Sequence, residues 1–327
     1  PVRFASYHDQ VLALGVVRSA SAKHAVVSLP GALAGHASLE GLQVQVEAGD
    51  VVSCAVLGTR LYRKGGKQAK RIDVALMRHD GLRLQDLATN GVAFGRIASD
   101  EGRGFLVDLG VPGATGFLSK KETLLSKDFV APNRLGFFRV AKVNSETGVV
   151  SASTSKVDRV KANCASFPAL RPGLLVTCRH VQHLKDGSRL VRFGDSFAGL
   201  LEKDHDDDDE AREAREEGED ESSSSFDARI LMVDRAEKVV RLSRLPHLLG
   251  LRAASLPAIG ASLRDLALVS FEPKVGALYS FSSEETTTTP TRQRVFVHVS
   301  SLATVPPPKV LAAARVTGRA PLEGWAV

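Results

Sequence analysis

Aromatic residues are scarce, with 14 Phe, 3 Tyr and 1 Trp among 327 residues. Holding nucleic-acid bases by stacking takes aromatic faces, so stacking platforms must be few in this chain. Cysteine is scarcer still, and Cys54, Cys164 and Cys178 show no CxxC spacing. An odd count at such spacings supports neither a zinc site nor a disulfide framework, and a reducing intracellular compartment is expected. No apolar run approaches the roughly 20 residues of a membrane helix, and no signal-peptide pattern opens the chain, so no membrane partner is expected. The nine histidines are scattered, and H-E-x-x-H, G-x-S-x-G and P-loop strings are missing. Asp206 to Asp209 form an acidic run, but a metal site needs carboxylates fixed on a rigid scaffold. The chain is therefore read as non-enzymatic, with no metal, cofactor or small-molecule substrate.

What the sequence does contain is a recurring segment: a short apolar strand, a glycine, and a step into Phe, Leu, Val or His. It occurs at Gly35-His36-Ala37-Ser38-Leu39, Gly116-Phe117-Leu118-Ser119, Gly199-Leu200-Leu201-Glu202 and Phe296-Val297-His298-Val299-Ser300. The three glycines recur after 81 and then 83 residues. A period of about 80 is too long for a solenoid repeat and suits an array of small domains, each burying its own core.

The second unit shows the internal order most clearly. Strands are predicted over 90–97, 104–110 and 113–118, followed by a helical connection in the 120–128 stretch (KKETLLSKD) and strands over 136–143 and 148–153. Alternating apolar residues with glycine stops carry these assignments. Five short strands with a helical link after the third describe a small Greek-key barrel of the OB type, which closes on itself and so leaves no sheet edge. The expected fold class is all-β: tandem five-stranded barrels with short helical connections. Units are placed at 8–80, 81–156 and 167–246, with a degraded or incomplete fourth at 256–327.

These residues resemble the S1 RNA-binding domain. In unit one the resemblance rests on Leu14-Gly15-Val16-Val17, Ala25 to Leu29, Asp50 to Val56 and Ile72 to Leu76. In unit three it rests on Arg171 to Val176, Arg189 to Phe193, Phe226 to Asp234 and Val239 to Ser243. Two phrases narrow it: Phe105 to Gly113 (FLVDLGVPG), and Ile230 to Asp234 followed by Arg241 to Leu249 (RLSRLPHLL). They are similar to the N-terminal repeats of the large eukaryotic multi-S1 pre-ribosomal RNA processing factors, the programmed cell death protein eleven family. The resemblance implies precursor ribosomal RNA and other ribosome assembly factors as partners, and the nucleolus as the site of action. Two other readings are a protein-docking module with little direct RNA contact, and an accessory array of an RNA-degrading enzyme.

Charge is unevenly spread. Residues 204–221 hold 12 acids and 2 arginines, a local charge of −10, which leaves +16 on the rest of a chain whose total is +6. A basic remainder suits a position among phosphates. The acidic insert at 204–225, ending in Ser222 to Ser225, is expected to be disordered and to fall between the third and fourth strands of unit three. It reads either as a solvated loop without a partner or as a phosphorylatable segment that competes with RNA.

The strongest positive constellation runs from Arg60 to Arg71, with Tyr62, Arg63, Lys64, Lys67 and Lys70 around Gly65-Gly66. It joins the fourth and fifth strands of unit one, one of the two loops with which OB folds hold oligonucleotides. The cations would take phosphates and Tyr62 would stack a base, although a solvated hairpin tip has the same composition. The resemblance implies a second constellation, aromatics on strands two and three, matched by Phe105 and Phe117 in unit two and by Phe296 and His298 in unit four. A Phe in an alternating strand equally suits a core. Ala25 with His36 and Leu190 with Leu200 occupy these places in units one and three, where base stacking is expected to be lost.

Overall fold

The computed structural model describes residues 2–31, 33–64, 67–77, 82–87, 89–122, 131–162, 166–194, 196–206, 225–251, 262–272, 276–283, 291–298 and 312–315. Two compact units divide the chain, Pro1–Ala253 and Ala254–Val327.

Three closed barrels make up the first unit, and all three repeat one topology. In barrel one the strands are β1 (Val11–Ala20), β2 (His24–Leu29), β3 (Leu33–Ser38), β4 (Val51–Lys64) and β5 (Lys67–Leu76). β1, β2 and β3 form an antiparallel meander, β4 pairs with β1 and β5, and a parallel β3–β5 pair closes the cylinder. Barrel two repeats this with β6 (Val92–Asp100), β7 (Gly104–Asp108), β8 (Thr115–Ser119), β9 (Leu135–Val143) and β10 (Val149–Ser153), closed by the parallel β8–β10 pair. In barrel three β11 (Leu175–His183), β12 (Arg189–Phe193), β13 (Phe197–Leu201), β14 (Ser225–Asp234) and β15 (Val239–Ser243) close through β13–β15. One antiparallel meander of three, closed by a parallel third-to-fifth pair, is the five-stranded OB arrangement that the alternation predicted.

The expected helical connection after the third strand is a short 3-10 turn in barrels two and three, at Lys120–Glu122 and Lys203–His205. Residues 123–128 of the predicted helical stretch lie outside the described residues. A four-residue helix, α1 (Pro246–Leu249), follows barrel three and buries Leu248.

Each barrel fills its interior from alternate strand positions. Ile97, Val107, Leu109, Leu118, Phe138, Val140 and Val150 pack together inside barrel two. Glycine recurs where strands approach too closely for a side chain: a Cβ on Gly15 would lie 2.3 Å from Val27 Cγ1, and one on Gly95 would lie 2.7 Å from the carbonyl oxygen of Asp108.

The barrels of this unit are fused. The last three residues of β14 leave β11 and pair with the first three of β1, Val11 opposite Asp234 and Ala13 opposite Met232. His8 Nε2 lies 2.9 Å from Asp234 Oδ2 at the same seam. The core of barrel three continues without a break into Leu12 and Ala55 of barrel one and Val92 of barrel two. Between barrels one and two, buried Arg134 reaches Glu47 at 2.9 Å and Asp50 at 3.3 Å, while the Gln45 amide donates to the Asn133 carbonyl.

Cys54 is buried in barrel one and Cys178 in the shared core, and desolvation pushes both thiols up to about 12. The thiolate is the reactive form, so both should resist alkylation in the folded chain near pH 8 and react on unfolding. Peptide mapping after a short pulse with and without denaturant checks this, and native labelling at either position would contradict the packing.

In the second unit β16 (Ser262–Glu272), β17 (Gly276–Ser283) and β18 (Thr291–His298) form an antiparallel meander, and β19 (Ala312–Arg315) pairs with β16. The order repeats the first four strands of the barrels. Among the described residues no fifth strand closes it.

The acidic insert lies between β13 and β14, in the expected place, but its first residues belong to the barrel. His205 is buried with Nδ1 3.2 Å from Ser243 Oγ, and its carbonyl accepts from the Arg244 amide. Asp206 sits between Arg189 and Arg244, the latter at 3.3 Å. At the other end Ser225, the first residue of β14, already pairs with Arg179 of β11. The expectation of disorder therefore fails at 204–206, where Arg189, Arg244 and the Ser243 hydroxyl hold His205 and Asp206, and at 225, where strand pairing does; residues 207–224 lie outside the described residues. Deleting 207–224 should leave thermal stability unchanged, since a run so rich in acids and poor in apolar residues has little to pack with. Asp206→Ala should cost about 2–3 kcal/mol by stranding charge-assisted hydrogen bonds. Equal losses from both changes in a melting experiment would show that the insert packs on the barrel.

Candidate nucleic-acid interface

The Arg60–Arg71 constellation is a two-stranded ribbon. β4 and β5 stay paired from Thr59 opposite Ile72 out to Lys64 opposite Lys67, well past the closing pairs of the barrel. Opposite residues share a face and faces alternate along each strand. The register therefore puts Arg60, Tyr62, Lys64, Lys67 and Arg71 at positions of one face, and Leu61, Arg63, Gln68 and Lys70 at positions of the other. The side chains of Tyr62, Arg63, Lys64 and Lys67 lie outside the described ones.

At the root of the ribbon the charges are organised. Arg60 and Arg71, directly opposite each other, both hold Asp73, with Nε to carboxylate distances of 2.6 and 2.7 Å. Asp73 is buried, whereas both guanidinium side chains remain largely exposed. One carboxylate between two arginines leaves a surplus positive charge and free N–H edges. Exposed Lys70 lies over the Phe4 ring, 5.1 Å from its centroid, which ties the ribbon to the N-terminal turn.

His36 stands beside Asp73 on the parallel β3–β5 pair, and opposite Val26 on β2. It is half-buried, and burial first, then Arg71, lower its pKa from 6.5 against the opposing pull of Asp73. The imidazole is thus neutral at pH 7, a flat ring beside a cationic strip.

In barrel two the register separates the two predicted aromatics. Phe105 pairs with Leu118 and Phe117 with Leu106. Phe105 points inward, 8% exposed in the barrel core, with Lys120 Nζ 5.2 Å from its ring centroid. Phe117 lies on the outer face, its ring over Gly104, where a Cβ would come within 2.5 Å. The outward cross-strand pair is therefore Leu106–Phe117, and its counterparts are Val26–His36 and Leu190–Leu200. The expected sharing of a face by Phe105 and Phe117 fails by one residue, as does the choice of Ala25, which is buried in the core. A shift of one position moves a strand residue to the opposite face.

Phe296 and His298 both lie on β18, opposite Leu278 and Gly276 and two residues apart, so they hold positions on one face. Their side chains lie outside the described ones. Among the described residues no group of His, Cys, Asp and Glu could hold a metal ion, and no helix is long and apolar enough to cross a membrane.

No family model matches the chain. Solved structures that match the chain include a multidomain protein with nucleic acid binding domains from Streptococcus pneumoniae, 14% identical over 76% of this chain and 75% of that one, TM-score 0.19. Drosophila Unr CSD456 is another, 11% identical over 71% of this chain and 94% of that one, TM-score 0.16. The fold itself rests on the strand topology above. Among curated proteins, the rRNA biogenesis protein RRP5 of Arabidopsis thaliana is 26% identical over 300 residues, 84% of this chain and 15% of its own. The RRP5 homolog of Mus musculus is 28% identical over 81% of this chain and 16% of its own, and that of Homo sapiens is 27% identical over 71% and 13%. The chain spans about a sixth or less of the relatives it matches. With tandem five-stranded barrels on one side and these relatives on the other, the chain is similar over most of its length to a stretch of the RRP5 rRNA biogenesis proteins.

Proposed function

We propose that this chain is a non-catalytic RNA-binding scaffold acting in ribosome biogenesis, holding precursor ribosomal RNA and assembly factors in the nucleolus during rRNA processing. The observation that carries the reading is the β4–β5 ribbon, which extends from barrel one with cations at its register positions and the Arg60–Asp73–Arg71 cluster at its root. Phosphates are taken by the cations of the ribbon, and Tyr62, His36 and Phe117 supply flat or apolar faces for bases. Phe296 and His298 extend the same use to the second unit. Phe105 acts through the core of its barrel and through Lys120 above it. The RRP5 relatives supply the setting, and the basic remainder of the chain supplies the electrostatics.

One observation favours protein docking instead: Leu57 and Leu61 of β4 are exposed, Leu61 to 57%. Binding of single-stranded RNA at increasing salt separates the two readings, because phosphate-driven association weakens steeply with salt. Crosslinking followed by RNA sequencing identifies the region bound, and recovery of proteins without RNA would favour docking.

Asp73→Asn gives a further expected outcome. Removing the carboxylate frees both guanidiniums and raises the local charge, so RNA affinity at low salt should rise about two- to fivefold, the scale of one added surface charge contact. Filter binding checks it, and a loss of affinity with intact folding would mean that Asp73 orients Arg60 and Arg71 for the ligand.

A further inference from the structure

The shared register of the three barrels exposes one place where barrel three departs from its siblings. The outward position that pairs the first strand with the second is Val16 opposite Ser28 in barrel one, and Arg96 opposite Asp108 in barrel two. In barrel two it is an ion pair at 3.3 Å. In barrel three the same position holds Arg179 opposite Arg192. Both arginines are exposed, and neither side chain has an ion pair or hydrogen bond among the described residues. The row continues across the sheet, Ser225 beside Arg179 and Ala198 beside Arg192, both also exposed.

Like charges placed directly opposite each other on a sheet are destabilising. Barrel two shows that this fold accommodates an acid at that position, so the second arginine works against the barrel's own stability. Two guanidinium forks on one row, flanked by a serine hydroxyl and a small alanine that leaves access open, match the oxygens of a phosphate. The neighbouring outward pair on β12 and β13 is Leu190–Leu200, a half-buried apolar surface beside the charged row. We infer that Arg179 and Arg192 form a second phosphate clamp for single-stranded RNA on barrel three, with Leu190–Leu200 as the adjoining base surface. The inference rests on the reading of the chain as RNA-binding. It gives barrel three a contact of its own, where the loss of an aromatic pair would suggest a passive spacer.

The test uses the 327-residue chain and a 15-nucleotide oligouridylate. Arg192→Asp copies the Arg–Asp pair of barrel two, so melting temperature should hold or rise. The slope of log affinity against log salt should flatten by about 1.4, two contacts at about 0.7 each, and Arg192→Gln should flatten it by about 0.7. The same changes should appear when Arg63, Lys64, Lys67 and Lys70 have been replaced by Gln. If Arg192→Asp leaves the slope intact while the ribbon variant flattens it, the clamp is refuted and the RNA reading stands. If neither variant changes the slope, the RNA reading itself falls. Unchanged RNA binding, with a phosphoserine peptide released by Arg192→Asp, would reassign the pair to a protein ligand and overturn the proposal.

Discussion

Replacing Arg229 with methionine should lower stability by about 4 kcal/mol, an unusually large loss for one substitution. The Arg229 side chain is completely buried, and its guanidinium donates to the carbonyls of Asp158 at 2.8 Å, Gly173 at 2.7 Å, Leu248 at 3.2 Å and Leu249. These carbonyls belong to the segment after barrel two, the turn before β11 and the end of α1. One side chain thus ties three pieces of chain to β14. Burying a cation is itself costly, which is why its pKa is lowered to about 10.

A buried ion pair can often be exchanged for apolar residues without loss, because both charges leave together. Here the acceptors are main-chain carbonyls that no substitution at 229 removes. Methionine keeps most of the volume and strands them, at about 1–3 kcal/mol for each that finds no water. Lysine should recover only part, since an ammonium cannot fork to four acceptors. The depressed pKa makes folding less favourable while the group is charged, and that cost is relieved only as pH rises past about 10. Between about pH 5 and 9 the loss should therefore be constant. Urea unfolding monitored by tryptophan-independent circular dichroism checks the size, and a methionine variant within 1 kcal/mol of the parent would mean that the carbonyls find other donors.

Much of the fold is legible in the sequence, and the exceptions share a physical cause. Alternation with glycine stops located β6 to β10 to within a few residues, because each strand carries its own period of two. Alternation fails to fix which face is inside when neighbours are both apolar. Phe105 and Leu106 are such a pair, and the deciding residue was Asp108, whose exposure carries Leu106 outward and leaves Phe105 with Val107 in the core. In barrel three Arg192 performs the same service, marking Leu190 as outward-facing and leaving Val191 in the core.

Contacts between barrels left no local trace. Nothing in the strings around Val11 and Asp234 encodes their pairing, since they lie more than 220 residues apart. Arg229 was invisible for a related reason: in an alternating strand an arginine reads as solvent-facing, and only tertiary acceptors make its inward position tolerable. The clamp at Arg179 and Arg192 was equally hidden, because cross-strand opposition appears only when the register is known. The ribbon was legible in composition and position, while the engagement of Arg60 and Arg71 by Asp73 was not.

That engagement sharpens the expected behaviour of the ribbon. Replacing Arg63, Lys64, Lys67 and Lys70 together with Gln spares the Arg60–Asp73–Arg71 cluster and so leaves the root of the hairpin braced. The four positions fall on both faces of the ribbon, Lys64 and Lys67 on one and Arg63 and Lys70 on the other. A strand of RNA lying along one face would lose two contacts, and one wrapping the ribbon would lose four. The salt slope should accordingly flatten by about 1.4 in the first case and about 2.8 in the second, at about 0.7 per contact. Phosphates carry no sequence information, so the weakening should be nearly uniform across RNA sequences. Tyr62→Ala should behave differently, costing about 1–3 kcal/mol with the salt slope nearly intact, because stacking releases no counterions. Pairing the two variants on one titration therefore reports both where the backbone runs and whether a base lies on Tyr62. An unchanged slope in the fourfold variant, with the barrels still folded, would point the ribbon at a protein, and the exposed Leu57 and Leu61 would then be the residues to replace next.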